Sequence, residues 1–348
     1  MDFFCGIGGV TRGFLNKGID VIGGIDIDSS CNLPYIENNF RPNGEKVKFF
    51  NCSVEDFDTS IINKQIDRKK DILVVIGCAP CQPFTSITKN LNGRLKDRGL
   101  LGQFLIKVKE MNPDYLFVEN VEGLKSDKNI EVLNDFIEEL KPHYQISINV
   151  VNAANYGVPQ NRKRLILFGK KNGSIEFPSI THGKNLKPFK TVSDTIKTLP
   201  SIKAGEKNQF YKEHHSANLK EISFRRLKYQ TKPGDGMEKW PIELQLPSRV
   251  DKGHQGHKDV YSRMYWNKPS PTLTTKFSSI SNGRFAHPIQ DRAISILEGL
   301  LLQTFPLEYQ LFNDSVSLKS RQVGNAVPVR LAEVFAEKII EDVKQINN

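Results

Sequence analysis

"MDFFCGIGGVTRGF" (residues 1–14) and "DVIGGID" (20–26) decide the fold. A short apolar run ends in a glycine cluster, a helix-type stretch follows, and a second apolar run closes on Asp26. The same alternation continues outward. "VKFFN" (47–51), "DILVVIG" (71–77), "DYLFVEN" (114–120) and "RLILFG" (164–169) are strand-type runs, and segments 29–40, 100–110 and 129–140 between them have apolar residues near helical spacing. Buried apolar strands alternating with helices predict an α/β fold: a doubly wound, mostly parallel, Rossmann-like sheet. In such sheets the ligand lies at the carboxyl ends of the strands. Those ends carry "CGIGG", Asp26, "NCSVED", "APCQPF" and Glu119-Asn120, so every chemically suggestive group falls on one edge. "RLAEVFAEKIIEDV" (330–343), after Pro328, predicts a closing helix that packs back on this domain.

The chain has 348 residues, 38% of them hydrophobic, enough for a real core without staples. Its five cysteines do not form a secreted disulfide framework. The N-terminus lacks a signal-peptide profile, and no apolar run approaches the ~18 residues of a membrane span, which together predict a reducing cytoplasm. Only Met1 precedes Asp2, so the first strand is expected to be short or the chain's start late. Net charge is +10, and residues 181–290 hold 20 Lys and Arg against 9 Asp and Glu, so the basic excess sits in one segment. That loop-rich segment, with six of the seven histidines, reads as a second, smaller domain. Its charge fits a polyanion such as nucleic acid, or simply a solvated basic face.

Gly6, Gly8 and Gly9 directly after a strand let the backbone turn tightly against a ligand. Asp26 stands about 20 residues on, where a carboxylate can accept from a ribose diol. A plain turn would also carry these glycines. A dinucleotide fingerprint would place a third glycine where Thr11 stands. An adenosyl ligand without pyrophosphate, such as S-adenosylmethionine, needs only close backbone approach and the carboxylate.

Cys78 and Cys81 have redox-centre spacing. Zinc would need a second such pair; His254 and His257 have ligand spacing but no accompanying cysteines, and no metal is expected. Glu119 at the end of an apolar strand is expected to be partly desolvated, its pKa raised toward general-acid use. Arg162 and Arg164, at i and i+2 of an extended segment, can point into one pocket or form surface ion pairs. A cysteine, an acid, an arginine pair and an adenosyl pocket describe nucleophilic attack on a polar heteroaromatic ring followed by methyl transfer.

At these residues the chain resembles the DNA cytosine-5 methyltransferase family of the bacterial restriction-modification type, over nearly its whole length. "DFFCGIGG" is similar to the cofactor loop, "APCQPF" to the nucleophile loop, "ENV" to the acidic motif and "QNRKR" to the paired-arginine motif. "NKPSPTLTTKF", "NGRFAHP" and "RQVGNAVP" resemble its later segments. The resemblance implies S-adenosylmethionine as cofactor and duplex DNA as partner, a monomer, and a possible separately encoded restriction endonuclease. It implies Cys81 as nucleophile, Glu119 as acid, Arg164 on the cytosine carbonyl oxygen, and Arg162 supporting the nucleophile loop or Glu119. The cofactor would meet Phe4, Gly6, Ile7, Gly8, Gly9, Asp26, Ile27, Ser53, Val54, Pro80, Leu101, Asn325 and Val327; the DNA would meet Gln82, Thr272 and Leu273. Residues 1–180, completed by 317–348, would be the catalytic domain, and 181–316 the target-recognition domain.

Two departures stand out. Ser53 occupies a usually acidic position, for which Glu55 or Asp56 would have to substitute. In "ILEGLLLQTFP" Leu297 and Leu301 stand where the family tends to have arginines. An RNA cytosine methyltransferase, a catalytically silent DNA-binding relative and a thiol oxidoreductase remain as alternatives.

Overall fold

The computed structural model of the chain describes residues 1–79, 99–126, 130–247 and 259–346. Seven strands form one sheet: β1 (Asp2–Phe3), β2 (Gly23–Ile25), β3 (Lys48–Phe50), β4 (Val74–Gly77), β5 (Tyr115–Val121), β6 (Gln145–Asn152) and β7 (Lys163–Lys170). Their spatial order is β3-β2-β1-β4-β5-β7-β6. β1 to β5 run parallel, and β7 is antiparallel to both β5 and β6. The order reverses between β1 and β4, the switch point where a doubly wound sheet opens a crevice. β6 is the strand the apolar runs did not reveal. In "QISINVVN" the residues Ile146, Ile148 and Val150 pack on the core while Gln145 and Asn149 face solvent, the alternation of a half-buried edge strand.

The connecting helices are α1 (Gly9–Leu15), α2 (Asn32–Asn38), α3 (Ser60–Asn63), α4 (Gly99–Met111) and α5 (Ile130–Leu140). The Phe104 ring on α4 meets Phe3 edge-on at 5.4 Å, and Phe3 meets Phe57 at 5.7 Å. Gly77, the last residue of β4, has no room for a side chain: a Cβ there would stand 2.4 Å from the Phe104 ring. The helix Val329–Ile346 follows Pro328 as its sequence predicts, and Phe335 packs on Phe117 and Phe168 at 5.0 and 5.3 Å.

The chain divides into two packed units. The first comprises Met1–Asn152, Lys163–Ile180 and Leu331–Asn348 and holds the whole sheet; the second comprises Ala153–Arg162 and Thr181–Arg330. Short helices, turns and buried polar groups build the second unit. Its helix Ile296–Leu302 opens on a capping box in which Ser295 and Glu298 satisfy each other's backbone N–H. Leu297 is fully buried, and Leu301 is partly so. Beside them, the two terminal nitrogens of Arg292 each donate to Glu298 at 2.7 Å, with both residues fully buried. Burial alone would raise the Glu298 pKa, but the bidentate Arg292 outweighs it and holds the carboxyl at about 2.

Removing one partner of a buried pair leaves the other uncompensated, so Glu298→Gln is expected to destabilise the protein by about 3–5 kcal/mol in urea unfolding. Because the folded pKa is depressed, the Glu298 contribution is present above the unfolded value and is lost as pH falls from the ordinary Glu range toward about 2. The variant's deficit should therefore shrink over that window.

Candidate active site

Three glycine-loop residues after β1 have left-handed backbone: Phe4 at φ 61°, Gly6 at 50° and Gly8 at 85°. The bend aims the Gly6 N–H at Asp26 Oδ2, 2.8 Å away, while Asp28 N–H donates to Oδ1 at 2.9 Å. Asp26 thus clamps the loop from the end of β2. Burial raises its pKa, and the hydrogen bonds from Asp28 and Gly6 oppose the rise. Asn51, which the sequence did not single out, donates to the carbonyls of Asp26 and Ile27 at 3.0 and 3.1 Å.

Two observations fit an adenosyl group here. Ile27 is 75% exposed beside the carboxylate, and among the described residues a Cβ at Gly6 would meet nothing within 4 Å. Phe4 is half-buried, 6.3 Å from Phe104 between ring centres. Ile7, Gly8, Gly9, Val54 and Leu101 are buried beneath. Ser53 donates to Asp56 Oδ2 at 2.7 Å and accepts from Asp56 N–H, while Glu55 accepts from Gln103 at 3.0 Å. Both neighbouring carboxylates therefore already have partners.

Glu119 lies within β5 rather than after it, and it is buried. Opposite it in the β5–β7 ladder stands Ile166, with Arg164 two residues away on the same face. Arg164 Nε lies 2.8 Å from Glu119 Oε1, an ion pair that is not aligned as a hydrogen bond; among the described residues that oxygen has no donor. Next to it, Asn120 donates through Nδ2 to the Ala79 carbonyl at 3.0 Å and accepts from Val121 N–H at 2.8 Å. The strand bearing the acid therefore holds residue 79, two positions before Cys81. Pro80, Cys81 and Gln82 lie outside the described residues, as do His254 and His257. Cys78 N–H donates to Phe3 O at 3.1 Å; burial, then the charge of Glu119, push its thiol well above the ordinary range, so it is protonated at neutral pH.

Arg162 lies in the second unit. It is fully buried, donating to the carbonyls of Leu273, Gly324 and Ala326 at 3.0–3.2 Å. Thr272 Oγ1 donates to Asn161 O at 2.7 Å, and Leu273 is buried. Asn325 is exposed and Val327 buried, both also in the second unit. Among the described residues no group of His, Cys, Asp and Glu is placed to hold a metal ion, and no helix is long and apolar enough to cross a membrane.

Residues 1–341 match the family model for C-5 cytosine-specific DNA methylases. The chain belongs to that family and is a DNA (cytosine-5-)-methyltransferase. It is 38% identical over 344 residues to the type II methylase M.HgiDII of Herpetosiphon aurantiacus, covering 97% of this chain and 94% of the relative. It is 30% identical to the type II methyltransferase M.Sau96I of Staphylococcus aureus, covering 99% and 76%. Among solved structures, DNMT2 of Spodoptera frugiperda superposes with a TM-score of 0.63 at 17% identity, covering 98% of both chains, which is a likeness of fold.

Proposed function

We propose that the enzyme methylates carbon 5 of a cytosine extruded from a specific duplex DNA sequence, through a covalent Cys81–cytosine adduct, with S-adenosylmethionine as cofactor. The Glu119–Arg164 pair is the observation that carries this: a buried carboxylate 2.8 Å from a guanidinium, on the strand that also holds Ala79. A thiol redox couple has no use for that pair, and the protonated Cys78 thiol is a poor partner for one.

The ring carbons of a stacked cytosine are inaccessible, so the base leaves the helix at a cost of a few kcal/mol. The Cys81 sulfur then bonds to ring carbon 6. The displaced electron pair passes into the ring, and Glu119 delivers a proton to ring nitrogen 3, which makes carbon 5 nucleophilic. Arg164 holds the ring carbonyl oxygen and Glu119 the exocyclic amine. When bound, the cofactor supplies the methyl group at carbon 5; Gly6 and Asp26 orient its ribose, and Ile27 covers its adenine. A base removes the carbon 5 proton, the electron pair re-forms the 5,6 double bond, Cys81 departs with its pair, and the proton on ring nitrogen 3 returns to Glu119.

The second unit serves as the target-recognition element. Arg226, Arg263 and Arg284 donate to backbone carbonyls there and hold the fold. Exposed lysines such as Lys184, Lys187, Lys190, Lys203 and Lys220 supply the phosphate contacts and the salt-dependent affinity. Thr272 and Leu273 lie near the flipped base. The names of the relatives support a role as the modification component of a restriction-modification system.

Incubating the protein with methyl-labelled S-adenosylmethionine and mixed duplex DNA, then sequencing the modified positions, is expected to place 5-methylcytosine in one recurring sequence. Label found only on RNA, or on adenine, would overturn the proposal.

A further inference from the structure

Two buried glutamines accompany Arg162, and neither belongs to the reaction as described above. Gln160 and Gln303 are fully buried, and Gln160 Nε2 donates to Gln303 Oε1 at 3.0 Å. Gln160 Oε1 accepts the Leu273 N–H at 3.0 Å. Gln303 Nε2 donates to the carbonyls of Val323 and Ala326 at 2.9 and 3.0 Å. The Leu273 peptide is thus held on both sides, its N–H by Gln160 and its carbonyl by Arg162. Both lines converge on one acceptor, the Ala326 carbonyl, which receives Arg162 Nη2 at 3.0 Å as well as Gln303. The backbones they join are in close contact: a Cβ at Gly324 would stand 2.3 Å from Thr274 O.

We infer that Gln160 and Gln303 form a clasp that fixes the Thr272–Leu273 segment and the Gly324–Val327 turn as one element, so that Gln303 is a positioning residue for both cofactor and target base. The inference rests on the proposed roles of Thr272, Leu273, Asn325 and Val327. Each amide is used in a way no other side chain reproduces. Gln303 needs an acceptor for Gln160 and two donors for carbonyls, while Gln160 needs an acceptor for Leu273 and donors for Gln303 and the Leu302 carbonyl, 3.3 Å away. Fully satisfied buried networks of this kind hold one geometry, because every alternative leaves a polar group unpaired.

The test uses the full chain with Gln303→Met, Gln160→Met and the double variant, measuring KM for S-adenosylmethionine, kcat, and the rate of covalent trapping on duplex DNA containing 5-fluorocytosine. Each single variant is expected to raise KM and slow trapping together, by roughly 10- to 100-fold for a displacement of about 1 Å. Because the two amides act as one unit, the double variant is expected to lose little more than either single one. Gln303→Glu keeps the acceptor for Gln160 and loses the donors to Val323 and Ala326, so it should show the same paired loss should a methionine variant fail to fold. A purely structural role would lower the melting temperature and leave KM and trapping per folded molecule unchanged, which overturns the inference. Losses confined to one readout, or multiplying in the double variant, also overturn it. A parent that transfers no methyl group to DNA brings down the functional proposal and the clasp together, whereas an active parent with indifferent glutamine variants brings down the clasp alone.

Discussion

Cys81→Ala is expected to abolish methyl transfer, lowering kcat by on the order of 10⁴ or more, as loss of a covalent nucleophile does elsewhere. Without the sulfur no bond forms to carbon 6, and carbon 5 of an aromatic cytosine is too weak a nucleophile to take a methyl group. Cys78→Ala is the control. Its thiol follows β4 and is held protonated by burial and the charge of Glu119, which suits neither a nucleophile nor a redox partner. It should keep kcat within a few-fold, with at most about 1 kcal/mol lost in stability. Single-turnover assays on duplex DNA check both variants, and a redox mechanism would show equal losses at the two positions.

Glu119→Gln is expected to lower kcat by roughly 10²- to 10⁴-fold, the range for a general acid. The amide keeps the shape of the side chain and can still face the exocyclic amine, but it cannot deliver a proton to ring nitrogen 3. It also removes the charge opposite Arg164, which sits 2.8 Å away with little exposure of either side chain. Breaking a pair this buried destabilises in its own right. Melting curves must therefore accompany the kinetics, and trapping on 5-fluorocytosine duplex should slow in step with kcat. Wild-type kcat in a folded Glu119→Gln protein would remove Glu119 from the mechanism.

The parallel half of the sheet was legible because its strands are short, buried and apolar, and because "CGIGG" and Asp26 sit at chain positions only a strand–loop–helix–strand unit brings together. The clamp from Gly6 N–H to Asp26 is the tertiary form of that spacing. The edge strand β6 escaped because its polar face breaks the apolar run, and only its neighbour β7 makes the alternation meaningful. Glu119 and Arg164 could be named from motif and register, but their pairing depends on β7 running antiparallel to β5. The three carbonyls that Arg162 holds, far along the chain, could not be read from its motif. Asn51, Asn120, Gln160 and Gln303 lie within the motifs, but nothing in the sequence assigned them a role. A buried amide looks like any other in sequence, and its value comes from partners up to 143 positions away. Leu297 and Leu301 looked like a departure, while the buried Arg292–Glu298 pair beside them left no signal in the sequence.

The most direct test of the covalent mechanism is to digest the denaturation-resistant complex formed by the parent protein, S-adenosylmethionine and duplex DNA bearing 5-fluorocytosine, and to identify the modified peptide by mass spectrometry. Fluorine at carbon 5 blocks the final elimination, so a methylated fluorocytosine is predicted to remain bonded through carbon 6 to the sulfur of Cys81. Turnover on ordinary DNA with no such adduct, or an adduct carried by Cys78, would contradict it.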